Sequence, residues 1–209
     1  MQIILQHLTI IVLISACKEK VAENHQRKQP QIIPPVNNSI SDKARSVLDK
    51  SPMDMIYLPD DYPVLKMSGK TKQLPVARVI YSRPIKDGRS IFGNVVKYGS
   101  YWRLGANEST EIEFFRDVTI VGQKVKKGRY IIYCIPFKNT WTIKLNNDLY
   151  TWGLKVHTLD DIYSFEIPVT NLPREYDVFT MQFVENNTGA ELLMAWDSVR
   201  AALPIKYQK

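Results

Sequence analysis

The chain has 209 residues, 44% of them apolar and 23% charged, enough to bury one good core and too few for several, so one folded domain is expected. The formal charge of +7 is spread along the sequence, with Lys and Arg interleaved among Asp and Glu. No basic helix or repeated basic-aromatic pattern appears, which argues against nucleic acid as a partner. With 12 prolines, 11 tyrosines and many Val, Ile and Thr residues, the composition favours an all-β protein with few short helices.

In chain order, residues 3–16 are mostly apolar, too short to span a bilayer as a mature helix, and lead into Ile14-Ser15-Ala16-Cys17. This is a lipobox: small residues before the cysteine suit a signal peptidase, and the Cys17 thiol takes a diacylglycerol. Residues 1–16 are therefore expected to be a lipoprotein signal peptide, although they contain no Lys or Arg. Cys17 becomes the lipidated first residue of the mature chain, and several acyl chains hold a protein to a membrane better than one. Lys18, rather than aspartate, follows that cysteine, and by resemblance to bacterial lipoproteins this points to the outer membrane of a bacterial envelope.

Residues 17–50 are rich in Gln, Asn, Pro, Lys and Ser without a sustained apolar period, and read as a tether, with a brief helix expected over 41–50. The folded domain is placed at 51–209. Its first part, SPMDMIYLPDDYPVLKMSGK, alternates large apolar residues with prolines and is expected to lie as an irregular segment over the core. Strands follow at 76–82, 110–116, 118–121, 130–135, 141–146, 163–169, 179–185, 190–196 and 198–203. The gaps are too short for crossover helices, so the expected architecture is an antiparallel β-sandwich, jelly-roll-like, of about nine strands.

The stretch from Arg78 to Asn107 concentrates the unusual side chains. Tyr81, Arg83, Arg89, Trp102, Arg103 and Asn107 stand among glycines that permit tight turns, and they are the ligand-binding candidates. A guanidinium grips a carboxylate with two hydrogen bonds, and an indole or phenol ring stacks on a flat group. The opposing reading makes the same residues a polar core: Arg103 pairs with Glu111 or Glu113, Trp102 fills the interior and Asn107 caps a turn. The structural role is the expectation for Arg103. An exposed turn at Asp87-Gly88 is the expectation for Arg89.

Other chemistry finds little support. His7 leaves with the signal peptide, His25 lies in the tether and His157 has no neighbouring His or Cys in sequence, so neither a metal site nor any other cofactor is expected. Cys134 sits in the apolar run YIIYCIP and is expected to be buried rather than reactive. The basic cluster Lys124, Lys126, Lys127 and Arg129 is expected to be a solvated hairpin rim.

The runs YSRPIKDGRSIFG, WRLGAN and GRYIIYCIP, with Trp141-Thr142-Ile143 and Thr151-Trp152-Gly153, resemble the bacterial family labelled domain of unknown function 2911, over roughly 51–205. The resemblance implies a secreted or lipid-anchored, β-rich domain and brings no activity, substrate or cofactor with it. The functional expectation is a binding or accessory module for a small molecule, glycan or partner protein. The alternative is an envelope hydrolase acting on carbohydrate or peptide, with Glu111, Glu113, Asp160 or Asp161 as its acids.

Overall fold

The computed structural model describes residues 50–208; the expected signal peptide, Cys17 and nearly all of the tether lie outside the described residues. Nine strands form in chain order: β1 (Met53–Leu58), β2 (Ala77–Ser82), β3 (Glu111–Phe114), β4 (Val118–Ile120), β5 (Gln123–Val125), β6 (Gly128–Pro136), β7 (Thr140–Asn146), β8 (Asp161–Asn186) and β9 (Gly189–Lys206). One short helix, α1 (Tyr62–Met67), joins β1 to β2. The sheet order is β1-β2-β3-β6-β7-β8-β9-β4-β5, every pairing antiparallel. The expected all-β antiparallel architecture is thus formed, as one open sheet and not as two separate ones.

Strand β8 makes this possible. Its first residues pair with β7 up to Thr140↔Pro168, and from Val169↔Ala201 onward it pairs with β9 instead. One long strand therefore belongs to both wings of the sheet. Pairing is interrupted where Asn171↔Val199 gives way to Tyr176↔Asp197, so that five steps along β8 answer two along β9. Pro173 falls in this bulge, where a residue without an N–H disturbs no ladder bond. Sequence patterning separates this continuous strand into 163–169 and 179–185 because the Asn171–Tyr176 bulge is polar and proline-bearing.

The wings close on one apolar core. In β2 the alternation buries Ala77, Val79 and Tyr81, and in β7 it buries Trp141, Ile143 and Leu145. Across the core, the backbone N–H of Met181 in β8 donates to the Tyr81 hydroxyl at 2.9 Å. Beside it, Phe179 N–H donates to the Pro84 carbonyl at 3.0 Å. Burial pushes the Tyr81 phenol up to about 12, so it stays protonated.

The segment expected to be irregular, 51–70, instead contributes the edge strand β1 and helix α1. Strand β1 was hidden because an edge strand keeps alternate residues in solvent: Met53 and Met55 are half exposed, and only Leu58 is fully buried. Strand β5 was also missed, being three residues of hairpin return in which only Val125 is buried. The hairpin that precedes it turns at Val121 (φ 48°) and Gly122 (φ 79°).

Tyr81→Phe tests the closure of the wings. It removes the acceptor of a buried N–H and should lower unfolding free energy by about 1–3 kcal/mol in a denaturant titration.

Candidate functional site

Residues 83–107 leave β2 and return to β3 as a long excursion over one end of the core. Its fixed point is Trp102, 7% exposed, which exchanges two backbone hydrogen bonds with Cys134 of β6 at 2.6 and 2.8 Å. The indole packs edge-on to Phe92, Trp141 and Phe179 and stacks on Trp196 at 5.8 Å, so it touches both wings. Its Nε1–H donates to the Gly105 carbonyl at 3.3 Å. No polar demand of this buried ring is left open.

Beyond Trp102 the chain reverses. Leu104 is fully buried in the left-handed region (φ 54°), its carbonyl accepting from Thr110 Oγ1 at 2.8 Å. Gly105 lies against the Ser82 backbone, where an added Cβ would meet Ser82 O at 3.1 Å. With Trp102 and Leu104 both committed to the core, the intervening Arg103 side chain is directed elsewhere. It lines a cavity of about 440 Å³ together with Arg89, Tyr101, Trp102, Trp196, Val95 and Leu154.

The two arginines differ in what they have left to offer. Arg89 follows the Asp87-Gly88 turn, where both residues have positive φ, and it is exposed as expected. Its Nε–H and Nη2 donate to the carbonyls of Lys86 and Ile85 at 2.9 and 2.6 Å. Arg103 is partly exposed and makes no hydrogen bond or ion pair with any described residue. The expected pairing of Arg103 with Glu111 or Glu113 does not occur. Glu113 stands directly opposite Arg78 and pairs with it, and Glu111 takes Arg129 at 2.6 Å. The strand register hands both carboxylates to strand neighbours.

Of the six candidates, the structure brings Arg89, Trp102 and Arg103 together. Tyr81 is buried in the core, and Arg83 binds Asp54 at 3.4 Å and Thr180 Oγ1 at 3.2 Å, joining β1 to β8. Both are structural. Asn107 is exposed with φ 60°, a turn residue that is not on the cavity wall. Sequence reading missed Trp196, which arrives from β9, and Gly153, where a Cβ would meet Arg103 Cδ at 2.4 Å. The Thr151-Trp152-Gly153 run was visible as a motif. Its physical role is to let the Arg103 stem pass.

The acids considered for hydrolysis are engaged elsewhere. Asp161 accepts from Tyr133 and Asn146, each at 2.8 Å, and Asp160 lies beside Asp148 and His157 at the neck of the 147–160 loop. His157, which has no obvious partner in the sequence, holds Asp148 at 2.7 Å. Neither of them lines the cavity, whose wall contains no Asp, Glu, His, Lys or Cys. Cys134 is fully buried, and burial pushes its thiol well above the ordinary value.

A family described as a protein of unknown function (DUF2911) matches residues 64–205. The chain belongs to that family. No curated protein and no solved structure matches it. The DUF2911 match takes in every cavity-lining residue except Ser51, so the cavity belongs to the family domain and not to a flanking addition.

Trp102 and Arg103 should separate cleanly on substitution. Arg103→Ala is expected to leave stability within about 0.5 kcal/mol of the parent, because no partner is stranded. Trp102→Ala should cost about 3–5 kcal/mol through the cavity it opens between the wings. Thermal and denaturant unfolding of the two variants reads the contrast.

Proposed function

We propose that this DUF2911 domain is a binding module for a small molecule carrying an anionic group on a flat apolar body. The observation that carries the reading is the Arg103 guanidinium, unpaired among the described residues, on a cavity of about 440 Å³ walled by Trp102 and Trp196. A cavity of this size suits a small organic ligand. Arg103 retains its full set of donors for a bidentate grip on a carboxylate or phosphate, and the apolar wall takes the remainder. Among the described residues no carboxylate, histidine or thiol stands on the wall to act as a general base toward water, which favours binding over hydrolysis.

The test is a calorimetric screen of aromatic and alicyclic carboxylates against their neutral amides. Carboxylates should bind and the matched amides should not. Arg103→Ala should weaken a carboxylate by about 10- to 100-fold, the usual worth of a charge-assisted pair, while its melting transition stays in place. Equal binding of acids and amides would sink the assignment of Arg103.

The setting of the module is part of the same proposal: lipid attachment at Cys17 holds it to a membrane of a bacterial envelope, a reading supported by the Ile14-Ser15-Ala16-Cys17 run. The outer membrane is the favoured membrane because Lys18 follows the cysteine. In a host that processes lipoproteins, Cys17→Ser should move the protein from the membrane fraction to the soluble one. Undiminished membrane retention would overturn the anchor.

A further inference from the structure

We infer that a second concavity, remote in sequence from the Arg103 cavity wall, binds a linear acidic polysaccharide. It is a shallow groove of about 950 Å³ bordered by Gln73, Phe115, Arg116, Lys124, Lys206 and Tyr207, with Asp117 and Lys126 at its side. Its floor is an outer face of the second wing. Thr119 of β4 stands opposite Lys124 of β5 on one side and Lys206 of β9 on the other. Paired residues in antiparallel strands project to the same face. The flanking residues Val118, Ile120, Val125 and Ile205 are buried, so Lys124, Thr119 and Lys206 form an outward row, its two cations about 10 Å apart by strand spacing.

The charges in the groove are not cancelled. Lys126 is matched by Asp117 at 3.0 Å, and that same carboxylate also accepts from the Lys127 N–H at 2.9 Å. Arg116 gives one hydrogen bond, to the Gln208 carbonyl at 3.1 Å, and keeps its charge. Lys124 and Lys206 have no side-chain hydrogen bond or ion pair among the described residues. Lys124 and Lys206 are therefore uncompensated among the described residues, while Arg116 lies beside Tyr207, whose hydroxyl donates to Glu185 at 2.9 Å; a concave arrangement of free cations concentrates field and draws anions.

The other lining groups choose among anionic partners. Gln73, Gln208 and the Thr119 hydroxyl offer hydrogen bonds of the kind sugar hydroxyls accept and return, and the partly buried rings of Tyr207 and of Phe115, over which the Arg78 guanidinium lies at 6.0 Å, border them. A bilayer surface would call for protruding apolar groups, but Leu74 is the one largely exposed apolar side chain of the groove. A recessed row of spaced cations with amide and aromatic borders fits a chain of acidic sugars. Lys124, Lys126 and Lys127 are exposed on the hairpin, as expected of a solvated rim, and Lys124 is joined there by Arg116 and Lys206 from distant parts of the sequence.

The experiment measures binding of the full chain to heparin and polygalacturonate, with dextran as the neutral polysaccharide and phosphatidylglycerol vesicles as the bilayer arm. Lys124→Gln with Lys206→Gln should weaken polysaccharide binding about tenfold, the combined worth of two exposed ion pairs. A second double variant, Lys97→Gln with Lys138→Gln, removes the same charge at exposed positions outside the groove and should leave binding within about twofold of the parent. Equal losses in the two double variants would reduce the effect to overall charge and overturn the site. Undiminished binding in the groove variant would overturn it as well, as would a groove-dependent affinity for vesicles exceeding that for either acidic polysaccharide. Arg103→Ala should leave polysaccharide binding unchanged, which keeps this result separate from the small-ligand proposal.

Discussion

The position of Trp102 between the two wings is the constraint on which the rest depends. An open sheet that bends back on itself through a shared strand needs something to fill the mouth of the bend, and a single indole meets Trp141 from β7, Phe179 from β8 and Trp196 from β9. Two backbone hydrogen bonds to Cys134 fix its height above β6. The burial of this ring surface offsets part of the ordering cost of the long excursion that delivers it. The same ring then forms part of a cavity wall, so the feature that closes the fold also creates a surface on which a ligand can rest.

Arg103 follows from this arrangement by exclusion. Its neighbours on both sides are drawn inward, Leu104 at the expense of a left-handed backbone, and its own long side chain passes over Gly153 and lines the cavity that Trp102 also borders. A guanidinium that meets neither a carboxylate nor a carbonyl among the described residues contributes little to stability. A buried pair would have lowered its availability and tied its removal to unfolding. The unpaired state is what makes a binding role and a structural role experimentally separable at this position.

The strands with clear alternation were legible because each faces the core on one side only. The β2 residues Ala77, Val79 and Tyr81 and the β7 residues Trp141, Ile143 and Leu145 show it directly. Exposed edges and polar bulges carry no such signal, which is why β1 was read as irregular and β8 as two strands. The candidate site was legible by residue type and only half legible by role. Trp102, Arg103 and Arg89 do converge, but sequence proximity points Arg103 to Glu111 and Glu113, which belong to Arg129 and Arg78. Carboxylate allocation follows the strand neighbours: Glu113 pairs with Arg78 directly opposite it, while Arg129, opposite Glu113 on the other side, reaches diagonally to Glu111, and nothing local to Glu113 reveals that Arg129 and Arg78 flank it. Trp196, almost a hundred residues from Trp102, was beyond any local pattern.

Register also explains what becomes of the charge excess. Along the sequence the Lys and Arg residues look evenly diluted by acids, which suggests a featureless, soluble surface. Folding sorts them. Asp54 goes to Arg83, Asp87 to Lys50, Glu111 to Arg129, Glu113 to Arg78, Asp117 to Lys126 and Asp197 to Lys86. The Lys86 ammonium and neighbouring N–H groups outweigh the desolvation that burial imposes on Asp197, holding its carboxyl below the ordinary range and keeping this clamp ionised at neutral pH. Because these acids are committed to scaffold, the cations they do not reach, Arg103 in one recess and Lys124 with Lys206 in another, keep their full charge where the surface is concave. A concave wall excludes part of the solvent that would screen them, so an uncompensated cation there attracts an anion more strongly than the same residue on a convex face. The net charge of the molecule is thus less informative than the pairing that leaves particular positive groups free.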